Sequence, residues 1–212
     1  MKSLSLAVPL AAILATGCSP TTDTPPTPAL ATSAPTDSAS YANVKAFTTK
    51  HLVLDLTADF EQKTLSGTVE LQLERRDAEA IELVLDTRDL TIEKAETAVG
   101  AGPWAPTDFK FDTSTKAFGS ALRIAMPPDA DRVRITYAST PGAKGLQWLT
   151  PAQTAGGKHP FLFSQAQAIQ ARSFIPLQDT PGVRVTYEAT IRTPKELVAV
   201  MAAEMTPGEA GS

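Results

Sequence analysis

The chain has 212 residues, 42% of them hydrophobic and 20% charged, with a formal net charge of −4. That suits a folded protein of one domain, or a domain and a half, and the mild acidity offers no clustered basic surface for nucleic acid. One cysteine and two histidines exclude an internal disulfide and leave a structural zinc site short of ligands. A site of His51, His159 and a carboxylate is conceivable, but their spacing matches no known ligand pattern.

The chain opens "MKSLSLAVPLAAILATGCSP". Lys2 supplies a short positive region and Leu4 to Ala15 an apolar stretch. Small residues follow, then Cys18. The pattern is a secretory signal over residues 1–17, too short to span a bilayer as a helix. Its end, "ATGC", resembles the lipobox of bacterial lipoproteins, although Ala15 stands where that pattern prefers leucine. The resemblance implies acylation of Cys18 and a periplasmic protein held to a membrane by more than one acyl chain, enough for stable attachment. The alternative is an ordinary signal peptide with a chance cysteine. Residues 18–41 are rich in Pro, Thr, Ser and Ala and have little to bury, so they read as an extended tether.

From residue 42 to 205 the apolar period is two, the signature of strands with one buried face. "HLVLDLTADF" puts Leu52, Leu54, Leu56, Ala58 and Phe60 on one face. "EQKTLSG" follows as a hairpin connection. "TVELQLER" then repeats the alternation through Val69, Leu71 and Leu73. The pattern continues in "IELVLDT" (Ile81, Leu83, Leu85), "LTIEKA" (Leu90, Ile92), "FKF" (109–111), "ALRIAM" (121–126), "VRITY" (133–137) and "VRVTYEATIRT" (183–193). "ELVAVM" (196–201) reads as a strand, with a short helix as the alternative. Many short strands separated by turns predict an all-β fold, two sheets packed as a sandwich. Arg75, Arg76, Arg132 and Arg134 read as solvated strand positions, and Trp104 and Trp148 as half-buried aromatics under loops. Residues 206–212 are small and polar, a flexible tail.

The densest puzzle lies in "FLFSQAQAIQARSFIPLQDTPG", where Gln165, Gln167 and Gln170 interrupt an otherwise core-like run. "LQWLTPAQT", "HPFLFSQAQAI", "ARS", "QDTP" and "PKELVAVM" together closely resemble the end of the N-terminal domain of leukotriene A(4) hydrolase-like aminopeptidases, M1-family zinc metallopeptidases. "HLVLDLTADFEQKTLSGTVELQLE" looks like the opening strands of that domain. The resemblance implies a saddle-shaped β-sandwich whose loop reaches into the cleft of the next domain and contacts the N-terminus of a peptide substrate. The matching positions are Gln165, Ala166, Gln167 and Ala168. Many relatives carry glutamate where Gln167 falls; the leukotriene hydrolase branch carries glutamine. An amide offers one acceptor and two donors and orients a ligand without burying a charge. Gln170, Arg172 and the turn-forming Asp179 read as structural.

The chemistry of that family lies elsewhere. Its zinc is held by H-E-x-x-H and a downstream glutamate, and exopeptidase recognition needs G-x-M-E-N. Neither His-Glu nor Met-Glu-Asn occurs here, and no Ser, His and acid arrangement stands in for them. The expectation is a substrate-anchoring domain truncated before its catalytic domain and inactive alone, with zinc bound only in that partner domain. The alternative is a stand-alone lipoprotein that binds peptide N-termini.

Overall fold

A computed structural model describes residues 37–205. The signal segment, Cys18, most of the tether and residues 206–212 lie outside the described residues.

Eleven strands follow in chain order: β1 (Phe47–Asp59), β2 (Thr64–Arg75), β3 (Glu82–Thr87), β4 (Thr91–Ala98), β5 (Ala105–Pro106), β6 (Phe109–Thr115), β7 (Gly119–Ala125), β8 (Arg132–Ala138), β9 (Leu146–Leu149), β10 (Phe161–Ser164) and β11 (Thr186–Arg192). Two short 3-10 turns, Pro151–Gln153 and Ala171–Ser173, complete the regular structure. Among the described residues no helix is long and apolar enough to cross a membrane.

The strands form three sheets: six strands in the order β11-β1-β2-β8-β4-β5, three in the order β3-β7-β6, and the ribbon β10-β9. The all-β expectation is met, with a ribbon beyond the two sheets that alternation suggested. The long β1–β2 hairpin closes at Asp59, whose side chain accepts from the amides of Glu61 and Gln62 at 2.9 and 2.8 Å. Leu52, Leu54 and Leu56 of β1, Val69 and Leu71 of β2, and Val133 and Ile135 of β8 bury one face of the large sheet. Leu83 and Leu85 of β3 and Leu122 and Ile124 of β7 meet them in the same core. Removing such side chains from water is the main source of stability, about 25 cal/mol per Å² of apolar surface.

Several sequence expectations are corrected. Ile81 was placed inward with Leu83 and Leu85, yet it is 74% exposed because β3 begins one residue later. Phe111 is exposed because β6 is an edge strand with one face open to solvent. Residues 196–201 form no strand: after a turn closed by Leu197 N–H on the Pro194 carbonyl, the backbone has no ladder partner among the described residues. Val198 and Val200 point outward at 83% and 80% exposure. The tether assigned to residues 18–41 overruns the folded part, since Ser40 and Tyr41 are hydrogen-bonded to Asp86 of β3.

Arg76 is exposed as expected, but Arg75, Arg132 and Arg134 are less solvated than their strand positions suggest. Arg75 lies 4.6 Å over the Phe47 ring and donates to the carbonyls of Ala80 and Pro127. Arg132 and Arg134 stack on Trp104 at 4.7 and 4.6 Å. Between Arg134 and Lys94 sits the nearly buried Glu96. The Lys94 ammonium, with Arg134 in support, holds the Glu96 carboxyl below its ordinary value of 4.5. A depressed folded pKa contributes stability above the unfolded value and loses it as pH falls through the folded value. Glu96→Gln is therefore expected to flatten the acid limb of stability below pH 4.5. Urea midpoints measured against pH check this; a limb as steep as the parent's contradicts it.

Candidate functional site

The glutamine loop grows out of the β9–β10 ribbon. Leu146 to Leu149 pair with Ser164 to Phe161, and the next amide, Gln165 N–H, donates to the Gly145 carbonyl at 2.8 Å. The chain then turns, with a cis peptide between Gln167 and Ala168, and Gln170 N–H returns to the Ala166 carbonyl at 2.8 Å. Gln165, Ala166, Gln167 and Ala168 are all exposed. Neither the Gln165 nor the Gln167 side chain has a hydrogen-bond partner among the described residues.

The glutamines divide by environment. The carboxamide oxygen of Gln170 accepts from Arg88 Nη1 at 3.0 Å. Gln178 is buried: its Oε1 accepts from the amide and hydroxyl of Thr49 at 2.9 and 3.1 Å, and its Nε2 donates to the Phe47 carbonyl at 2.8 Å. Both of these side chains are hydrogen-bonded within the protein, whereas Gln165 and Gln167 are exposed and unbonded among the described residues. Gln170 is thus structural, as read from the sequence.

Beneath the loop lies a buried ionic cluster. Arg172 is fully buried. Its Nε donates to Asp179 Oδ2 at 2.9 Å and its Nη2 to the Asp179 carbonyl at 2.9 Å. Its Nη1 donates to the carbonyls of Ala39 and Phe118 at 2.9 and 2.8 Å and stands 3.6 Å from Asp86 Oδ1. Asp86 accepts from Ser40 Oγ, Tyr41 N–H and Asp179 N–H at 2.6, 2.7 and 3.0 Å. Burial pushes its carboxyl above the ordinary aspartate value, against the pull of Ser40, Tyr41 and Arg172. Arg172 and Asp179 are structural, as read from the sequence, but Asp179 Oδ2 accepts from Arg172 and not from an amide of its own "QDTP" turn.

A second layer ties the loop to the ribbon. Ser173 Oγ donates to the Gln170 carbonyl at 2.7 Å and accepts from Gly145 N–H at 2.8 Å. Sequence reasoning missed Asp86, Arg88, Gly145 and Ser173. The available signal was Asp86 itself, a carboxylate inside the apolar run "LVLDT". The same ribbon borders an apolar groove of about 400 Å³, lined among others by Leu54, Phe161, Phe163, Ile191, Val198 and Met201. Phe161 and Phe163, four and two residues before Gln165, are about half exposed.

Neither histidine belongs to this arrangement. His51 pairs with the Thr186 hydroxyl at 2.7 Å, and His159 is exposed. Among the described residues no group of three or more His, Cys, Asp or Glu is placed to hold a metal ion.

The molecule is thus an all-β scaffold that carries exposed amides on a loop braced from below. The chain belongs to the Peptidase M1 N-terminal domain family, matched over residues 41–209. It is 40% identical over 169 residues to leucine aminopeptidase 2 of Pyricularia oryzae, covering 77% of this chain and 27% of that protein. It is 38% identical over 172 residues to leukotriene A-4 hydrolase of Xenopus laevis, covering 79% of this chain and 27% of that protein. The solved structure of yeast LTA4 hydrolase in complex with bestatin superposes with a TM-score of 0.69 at 35% identity, over 79% of this chain and 26% of that one. The chain thus spans about a quarter of the length of these relatives. M1 peptidases are zinc-dependent enzymes with a C-terminal catalytic domain.

Proposed function

We propose that this domain is the substrate-anchoring wall of a zinc aminopeptidase, one that removes N-terminal residues from peptides. Gln165 and Gln167 face the peptide's N-terminal end. Their carbonyl oxygens accept from the substrate ammonium, and their amide hydrogens donate to its carbonyl. Ala166 and Ala168 keep the loop narrow enough to enter a cleft. Zinc, the activated water and the acid–base groups belong to the catalytic domain, so the chain alone turns nothing over. The single observation that carries this reading is the contrast among four glutamines: two side chains are hydrogen-bonded within the fold, and two are exposed on a braced loop with no partner among the described residues. The exposed apolar strip of Phe161, Phe163, Val198 and Val200 supports it, since such a strip marks a surface that another module covers.

The test joins this domain to the catalytic domain of a leukotriene A-4 hydrolase relative. Gln167→Ala is expected to lower kcat/KM on an aminoacyl arylamide by about tenfold to a hundredfold, roughly 1.4–2.7 kcal/mol. An unchanged kcat/KM in a normally folded variant sinks the anchoring role. Zinc-dependent turnover by the 212-residue chain alone contradicts the division of labour.

The lipid anchor is part of the same proposal and rests on the sequence pattern around Cys18. Expressed in a Gram-negative host, the chain is expected to take up radiolabelled palmitate and appear in the membrane fraction. Cys18→Ser is expected to lose both. Equal labelling of the two proteins disproves acylation at Cys18 and leaves no basis for the periplasmic, membrane-held location.

A further inference from the structure

The end of the tether is bound into the base of the glutamine loop. Ser40 Oγ and Tyr41 N–H donate to the two oxygens of Asp86, at 2.6 and 2.7 Å. The Ala39 carbonyl accepts from Arg172 Nη1 at 2.9 Å. Ala42 N–H turns back to Ser40 Oγ at 3.1 Å, and the Tyr41 hydroxyl donates to the Gly119 carbonyl at 3.2 Å. Asn43 continues the line: its Nδ2 donates to the Glu82 carbonyl and its Oδ1 accepts from Val84 N–H, at 2.8 and 2.9 Å. This short segment therefore takes the place of a neighbouring strand along the free edge of β3.

From Asp86 and Arg172 the contacts run straight into the loop. Asp86 exchanges backbone hydrogen bonds with Leu177, at 2.8 and 3.3 Å. Arg88 N–H donates to the Arg172 carbonyl at 2.8 Å, and the Arg88 side chain reaches Gln170 at 3.0 Å. Hydrogen bonds to buried charged groups are among the strong ones, and a missing partner leaves a desolvated charge behind. Asp86 and Arg172 are both wholly shielded from solvent, and Ala39 to Tyr41 supply three of the groups that satisfy them.

We propose that Ala39–Tyr41 is a strap that positions the glutamine loop, with Ser40 and Asp86 as its positioning residues. The value of that positioning for peptide anchoring rests on the function proposed above. The loop's order itself does not. A segment whose composition is that of a passive spacer thus ends in a part of the site's foundation. Changes at residues 39–41 are read out some 125 residues later in the chain, at Gln165 and Gln167.

Amide hydrogen exchange on the full chain tests this. In Ser40→Ala the protected amides of the loop (Gln165, Gln170, Ser173, Phe174) are expected to exchange roughly tenfold faster, equivalent to about 1.4 kcal/mol. Amides of the β1–β2 hairpin are expected to stay within about twofold of the parent, and Ser40→Thr, which keeps the hydroxyl, to restore loop protection. Unchanged loop exchange in Ser40→Ala overturns the proposal. So does an equal acceleration in β1 and β2, which makes the strap a general stabiliser. Asp86→Asn is the second probe: loop-selective loosening supports the strap, and parental protection counts against it. If Asp86→Asn does not fold, the Ser40 pair decides alone. Because exchange is read without substrate, this result is independent of the Gln167→Ala kinetics that judge the anchoring role.

Discussion

Arg172→Met is expected to cost the domain about 3–5 kcal/mol, the range for breaking a buried ion pair by removing one partner. Methionine has nearly the length of arginine, so the change deletes charge and donors more than volume. It leaves the Asp179 carboxylate without Nε at 2.9 Å, Asp86 without its cation at 3.6 Å, and the carbonyls of Ala39 and Phe118 without donors. Asp86 has no exposed surface and the Asp179 side chain only 12%, so solvent replaces little of what the guanidinium supplied. Domains of this size hold only about 5–15 kcal/mol in total, so the variant is expected to unfold early in urea or to accumulate as inclusion bodies. Arg172→Lys is expected to recover little. A single ammonium cannot reproduce a planar fork that reaches Asp179 by Nε and by Nη2 while Nη1 serves two carbonyls. Urea denaturation followed by far-ultraviolet circular dichroism measures both. A midpoint near the parent's for Arg172→Met would show that the cluster contributes nothing to stability.

The second large effect is expected at Gly145. A Cβ there would lie 2.6 Å from carbons of the Phe174 ring and 2.7 Å from the Gln170 carbonyl oxygen. The ring is buried and the carbonyl already accepts from Ser173, so neither can move without disturbing the loop. Overpacking of this kind costs about 1–3 kcal/mol. Gly145→Ala also strikes the site, because the Gly145 carbonyl receives Gln165 N–H and its own N–H reaches Ser173. The expected result is a lower urea midpoint with an unchanged m-value, together with a fall in kcat/KM of the joined enzyme at least as large as that of Gln167→Ala. A stable Gly145→Ala with parental kinetics would mean that the loop tolerates displacement.

Much of the fold was legible because alternation reports burial directly. Leu52, Leu54, Leu56, Val69 and Leu71 were assigned inward and are buried. Alternation does not report who pairs with whom. "ELVAVM" keeps the pattern, yet its backbone finds no ladder among the described residues, and the parallel joining of β11 to β1 leaves no trace in either segment. Nor does alternation foresee polar burial. Asp86 follows Leu85 and so belongs on the face away from the core, but Ser40, Tyr41, Arg172 and Asp179 cover that face as well. In the site, the resemblance singled out Gln165 and Gln167, and the structure gives them free amides on an exposed turn. The brace beneath was illegible because its members, Ser40, Asp86, Arg88, Gly145 and Ser173, are scattered through the chain and meet only after folding.

The parallel pairing of β1 with β11 carries a consequence for how the domain is made. His51 to Thr57 align with Thr186 to Arg192, so one edge of the hairpin stays uncapped until β11, 135 residues further along, has been synthesised. Closing so wide a loop is slow, and an open strand edge invites pairing with other nascent chains. Completion of the large sheet therefore waits until β11 has been made. Agents that shield extended segments during synthesis should raise the soluble yield more than lowering the growth temperature does.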